Sequence, residues 1–185
     1  MEKLKGLGRI EDPVKKRAYF IGLLSEEIKK RGAKPPIVVG DEAVEIYTQG
    51  GYTTGDIDLK APKNYLEEVL SEWNFLKKGR LWFNKEMDIY IDWLGETLDE
   101  GREAEERVNS IIVADGLTIN VISVEDLIID RLNAAKWWKD EDSFMWAKVL
   151  VRVKDAMGEA VDLEYLRKRA ASEQIEELLD KVLKN

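Results

Sequence analysis

The hydrophobic pattern changes character once along the chain, near Ser123, and that change limits the fold more than any other feature. Before it, short apolar runs alternate with helical patterns; after it, only helical periodicity remains. Asp12-Pro13 reads as a helix start, with Val14, Ala18, Ile21, Leu24 and Ile28 at helical spacing and Gly32 and Pro35-Pro36 ending it. Ile37-Val38-Val39 predicts a buried strand, broken by Gly40, with a helix from about Glu42 to Thr48 and a glycine-rich loop from Gln49 to Gly55. Asp56 to Lys60 alternates as a strand. Tyr65 to Trp73 is predicted helical. Leu76 to Phe83, with a turn at Lys78-Gly79, and Met87 to Leu94 are predicted as β segments, and Gly95 to Glu106 as an exposed acidic loop. Val108 to Val113 and Leu117 to Ile122 flank Ala114-Asp115-Gly116 as a hairpin. Ser123, with Asp126 three residues on, caps a helix carrying Leu127, Ile128, Leu132 and Ala135. Helical pattern resumes at Asp142, breaks near Gly158 and restarts at Asp162. The expected fold is therefore α/β (α+β): a mixed β-sheet flanked by helices in residues 1–122, then a C-terminal helical bundle in residues 123–185, the two packed as one unit.

The chain has 185 residues with neither histidine nor cysteine. Imidazole bases, Ser-His-Asp and Cys-His triads, thiol nucleophiles, disulfides and zinc-thiolate sites are excluded. Chemistry must run on carboxylates, hydroxyls, lysine, arginine or a metal held by oxygen. Lys and Arg number 29 against 37 Asp and Glu, a net charge of −8, which disfavours broad contact with nucleic acid or anionic membrane. No apolar run approaches a membrane span and no apolar signal stretch follows the basic leader, so a cytoplasmic protein is expected.

Three features could carry chemistry. The first is a buried strand ending at Gly40 and followed by a helix, whose first amides would suit phosphate; a plain tight turn is the bland alternative. The second is Asp56-Ile57-Asp58. Residues two apart on a strand share a face, and paired carboxylates repel unless a cation such as Mg²⁺ sits between them; a polar strand end is the alternative. The third is a further acid on the strand Met87 to Leu94, either Asp88 or Asp92, which could complete a three-carboxylate two-metal site or could be polar decoration of an exposed sheet face.

Together these resemble the nucleotidyltransferase superfamily typified by DNA polymerase β, and more closely the small minimal nucleotidyltransferase-like proteins that include the AbiEii-like toxin group. The resemblance rests on Val38-Val39-Gly40 with Ala43-Val44 and Tyr47-Thr48, on Tyr52-Thr53-Thr54-Gly55-Asp56-Ile57-Asp58-Leu59, on Val121 to Ile128 with Arg131-Leu132, and on Asp162-Leu163 with Tyr165-Leu166. It implies metal-dependent transfer of a nucleotidyl group from a nucleoside triphosphate to an acceptor hydroxyl. Asp56, Asp58 and Asp92 would hold Mg²⁺, with Asp88 the fallback for Asp92. Gly40 would approach the phosphates, and Arg131 would help neutralise them or simply form the solvated side of its helix. The family has Gly-Gly or Gly-Ser where this chain has Gly40-Asp41. Asp41 puts negative charge beside an anionic ligand unless it turns away, binds metal or caps the next helix. That departure points to the alternative, an inactive binding module of the same fold, possibly a toxin–antitoxin component. A tRNA end, a protein hydroxyl or a small molecule such as an aminoglycoside are the candidate acceptors, and an antitoxin protein or a second copy the candidate partners.

Four other features read as structural. Trp137-Trp138 and Trp146 are expected to pack helices, and Asp140 and Asp142 to cap one. Lys77, Lys78 and Arg80 form a small basic turn, either solvated or the local patch that an RNA substrate needs.

Overall fold

The described residues of the computed structural model are 3–156 and 158–184. A 3₁₀ helix, Lys3–Arg9, buries Leu4 and Leu7, so the leader belongs to the core rather than to solvent. Helix α1 (Pro13–Lys30) starts as its sequence dictates, the Asp12 carboxylate accepting from the Lys15 amide at 3.1 Å. Its inner face buries Phe20, Ile21, Leu24 and Ile28, and Phe20 meets Trp73 edge-on at 5.7 Å.

Strand β1 (Ile37–Val38) leads directly into α2 (Gly40–Tyr47). The remaining elements of this part are β2 (Ile57–Lys60), α3 (Lys63–Glu72), β3 (Leu76–Lys78), β4 (Leu81–Asn84), β5 (Ile89–Trp93), α4 (Arg102–Glu106), β6 (Asn109–Ile112) and β7 (Thr118–Val121). The seven strands form one mixed sheet in the order β3-β4-β5-β2-β1-β7-β6. β2 pairs in parallel with β5 and β1 in parallel with β7; the other neighbours are antiparallel. Alternation along β2 puts Ile57 and Leu59 wholly in the core, leaving Asp58 on the opposite face. β5 repeats the pattern, with Ile89 and Ile91 inward and Asp92 beside Asp58 in register.

Several expectations are corrected. The predicted loop Gly95 to Glu106 contains α4 and buries Leu98 and Ala104. The strand predicted from Met87 begins only at Ile89, because the Asn84 carboxamide oxygen accepts from the Glu86 and Met87 amides at 3.1 Å each. This side-chain cap pulls the chain into a turn, and Asp88 takes φ +50°. Helix α2 begins two residues early, at Gly40, so Asp41 is its second residue rather than its cap.

A second unit begins at Ser123 and holds α5 (Val124–Trp137), α6 (Glu141–Ala156), α7 (Leu163–Glu173) and α8 (Glu176–Leu183). Ser123 caps α5 twice over: its hydroxyl accepts from the Asp126 amide at 3.0 Å and donates to the Asp126 carboxylate at 2.7 Å. Buried Asp126 also accepts from the Tyr165 hydroxyl at 2.7 Å and faces Arg169 at 3.5 Å, tying α5 to α7. Asp140 alone caps α6, taking the Ser143 hydroxyl at 2.7 Å, while Asp142 only donates its amide to it. Trp137 and Trp138 do not pack helices: they close α5 and stand 57% and 81% exposed, and Trp146 is half-buried. No helix among the described residues is long and apolar enough to cross a membrane.

Replacing Ser123 by Ala removes the cap and one donor from a buried carboxylate. A loss of about 1–2 kcal/mol of unfolding free energy is expected, measured by urea denaturation.

Candidate metal centre

One carboxylate oxygen from each of Asp56, Asp58 and Asp92 lies within 4.8 Å of the other two. Asp58 and Asp92 arrive from the centres of adjacent parallel strands, and Asp56 from the loop that enters β2. The backbone positions of the strand pair are thus locked by ladder hydrogen bonds. Asp88 lies in its turn outside this group.

Asp58 is the most constrained of the three. Its Oδ2 accepts from the Asp41 amide at 3.0 Å, so a carboxylate from the neighbouring strand performs the capping that the sequence suggested for the Asp41 side chain. Gly40 makes the approach possible. A Cβ there would stand 2.5 Å from Asp58 Oδ2, and the residue has φ +56°. Burial pushes the Asp58 carboxyl up to about 7; the Asp41 amide pulls it down, and the charges of Asp56, Asp41 and Asp92 push it further up.

Asp92 is largely buried. Its Oδ2 pairs with Arg80 Nη2 at 2.7 Å, while Oδ1 has no hydrogen-bond partner. Arg80, read in the sequence only as one member of a basic turn, reaches Asp92 although its own side chain is 66% exposed. The cross-strand step that brings it to Asp92 is a long-range contact that no local spacing encodes. Lys77 of the same turn pairs with Glu67.

Beneath the site, Arg17 of α1 donates to Glu42 at 2.8 Å and to Glu45, both from α2 and all three buried. Glu45 also accepts from the Thr54 amide at 2.9 Å, which anchors the loop ahead of Asp56, and the Thr54 hydroxyl reaches the Asp56 carboxylate at 3.4 Å. Burial pushes Glu42 up to about 8 against the pull of Arg17, with the Glu45 and Asp58 charges adding to the rise. Arg131, expected near phosphate, lies in α5 of the second unit and pairs with Asp130 at 2.6 Å.

The donor set fits a divalent cation. It consists of hard oxygens only, it gathers like charges that repel when unneutralised, and it includes a buried carboxylate oxygen without a partner. Mg²⁺ or Mn²⁺ suit such ligands; softer metals do not.

No protein-family model matches the chain, and no curated protein matches its sequence. Solved structures do match its fold. A crystal structure of ANT(2'')-Ia in complex with adenylyl-2''-tobramycin superposes with a TM-score of 0.56 at 16% identity, covering 85% of this chain and 97% of that one. A solution structure of ANT(2'')-Ia, described as an antibiotic-resistance factor with substrate-regulated conformation dynamics, gives a TM-score of 0.51 at 19% identity over 89% of this chain and 97% of that one. The chain therefore shares the nucleotidyltransferase fold of these proteins.

Two outcomes are expected. Unfolded, Asp58 and Glu42 would titrate near 3.8 and 4.5; folded, they titrate near 7 and 8. Both favour the fold fully below their unfolded values, and that contribution is lost as pH rises through the folded ones. Metal-free protein should melt at lower temperature at about pH 8.5 than at about pH 6, which thermal scans in EDTA measure. The Gly40→Ala variant should lose divalent-ion binding and roughly 1–3 kcal/mol of stability, read by Mn²⁺ titration and denaturant unfolding.

Proposed function

We propose that this chain is a nucleotidyltransferase that moves a nucleoside monophosphate from a nucleoside triphosphate to an acceptor hydroxyl. The observation that carries the reading is the convergence of Asp56, Asp58 and Asp92 beside the start of α2, a triad of hard ligands at a helix N-terminus. The fold shared with ANT(2'')-Ia supports it, as does a motif block in which both aspartates of the Asp-x-Asp pair are present.

Asp56, Asp58 and Asp92 would hold Mg²⁺, which when bound supplies charge neutralisation of the triphosphate and a lowered proton affinity at the attacking hydroxyl. The chain's residues do the rest. The phosphates would approach the α2 start at Gly40; the Asp41 amide is already held by Asp58, and Asp41's own carboxylate must lie away from them. The acceptor oxygen bonds to the α-phosphorus as the bond from that phosphorus to the pyrophosphate oxygen breaks, and pyrophosphate departs with the electron pair. The hydroxyl proton would pass to a carboxylate, and the unpartnered Asp92 Oδ1 supports Asp92 in that part. Arg17, Glu42 and Glu45 keep the α2 start and the Asp56 loop in position during the step. The acid site is consistent with this chemistry and needs no histidine.

Titrating each nucleoside triphosphate calorimetrically, with Mg²⁺ and with EDTA, tests the reading. Wild-type protein should bind a triphosphate only with the ion, and Asp58→Asn should weaken that binding by about 100-fold or more, roughly 2.8 kcal/mol. A folded protein that binds no triphosphate would instead be the binding module, with an antitoxin or another protein as its partner.

A further inference from the structure

The sheet face that carries Asp58 and Asp92 continues past β5. Residues paired across neighbouring strands share a face, so the register traces that face strand by strand. One row runs Asp58, Asp92, Leu81, Lys78 across β2, β5, β4 and β3. A second row, Tyr90, Phe83, Leu76, lies beside it on the same face, two residues or roughly 6.6 Å along the strands. The intervening residues Ile89, Ile91 and Trp82 point to the other face and are buried. Tyr90, Phe83 and Leu81 are only half-buried, and Leu76 is 63% exposed, although all are large and apolar. The Tyr90 and Phe83 rings are tilted 17° from each other with centroids 6.4 Å apart, an aligned pair that a further flat ring can extend. Two cations border the strip: Lys78, which is exposed, and Arg80, whose guanidinium reaches Asp92 at 2.7 Å.

We propose that this strip is the acceptor subsite of the transferase reading above, on which the proposal rests, and that the acceptor is a nucleoside end. Its base stacks on the Tyr90 and Phe83 pair, and its ribose hydroxyl reaches the acid row at Asp92. Every base has a π face, so an aromatic pair holds a nucleoside whatever its sequence. The step between the ring row and the acid row fits a hydroxyl borne on a sugar beside the ring, whereas a phenol carries its hydroxyl on the ring itself and spans less. Lys78 and Arg80 suit the phosphate that precedes the nucleoside in a mononucleotide or in a strand. The net charge of −8 confines the contact with any strand to its last nucleotides. A polyamine acceptor of the aminoglycoside kind meets no carboxylate among Leu76, Leu81, Phe83 and Tyr90, and two like charges at their border.

Calorimetric titrations with Mg²⁺ present and the donor side filled by a non-transferable α,β-methylene triphosphate isolate the second subsite. The probes are adenosine 5′-monophosphate, a ribotetranucleotide, tobramycin and N-acetyltyrosinamide. The two nucleotide probes should bind and the other two should not; a tighter tetranucleotide identifies a strand end as the source, and equal affinity a free nucleotide. With a transferable triphosphate, mass spectrometry should show the bound nucleotide probe gaining one nucleoside monophosphate. Tyr90→Leu and Phe83→Leu keep an apolar side chain but remove a ring, and each should weaken the nucleotide probes by tenfold or more while Mn²⁺ and triphosphate bind as in wild type. No binding of either nucleotide probe up to millimolar concentration, equal binding of tobramycin or of the tyrosine amide, or unaffected leucine variants would each overturn the proposal. Leucine variants that also lose Mn²⁺ and triphosphate would overturn it too, since the rings would then serve only the fold. If triphosphate binds normally and the nucleotide probes fail, only the acceptor subsite falls; if triphosphate fails, the transferase reading falls and the acceptor role with it.

Discussion

The carboxylate of Asp58 and the first turn of α2 occupy a volume that stays open only because position 40 has no side chain. Gly40 supplies both the left-handed backbone and the missing Cβ, and the Asp41 amide then reaches Asp58 across the 3.0 Å gap. That contact joins β1, α2 and β2, and β1 is itself only two residues long. Through β1 the two halves of the sheet are continuous, since it pairs with β2 on one side and β7 on the other. The acid triad therefore sits where the sheet is held together most sparingly by backbone alone, and a charged side chain completes the joint.

The charge balance around that joint is negative by design of the sequence. Asp41, Asp56, Asp58 and Asp92 surround the centre, and Glu42 and Glu45 share one arginine beneath it. Arg17 is buried with both partners, so it offsets their desolvation rather than neutralising the acids above. Arg80 pairs with Asp92 from an exposed position, whereas Arg17 is buried with both its partners. The energetic consequence is that the acids of the triad raise the proton affinity of Asp58.

The sequence discloses the fold wherever chemistry and pattern coincide locally. The Asp12 and Ser123 caps, the Ala114-Asp115-Gly116 hairpin turn and the inward Ile57 beside outward carboxylates are all set by neighbouring residues. Asp56 and Asp58 could be read as a pair from their two-residue spacing, although Asp56 lies in the loop just before β2, and the structure brings them together with Asp92. What was missed depends on partners distant in the chain. Arg80 acquires its role only when β4 lies against β5. Arg17 reads as the polar side of a helix until α2 presents two glutamates to it. Asp88 differs from Asp92 because Asn84, four residues before, caps a turn that periodicity does not register. Trp137 and Trp138 mislead for the opposite reason: size and hydrophobicity suggested burial, but they fall where α5 ends and the chain turns outward.

The acids ride on β2 and β5, interior strands paired on both edges, whereas Arg80, Lys77 and Lys63 come from a turn tip, an edge strand and a helix start. The two groups face different mutational regimes. An exchange among the peripheral cations removes no backbone ladder of the sheet. The relative position of Asp58 and Asp92, by contrast, is fixed by the ladder between two interior strands and tolerates no such freedom.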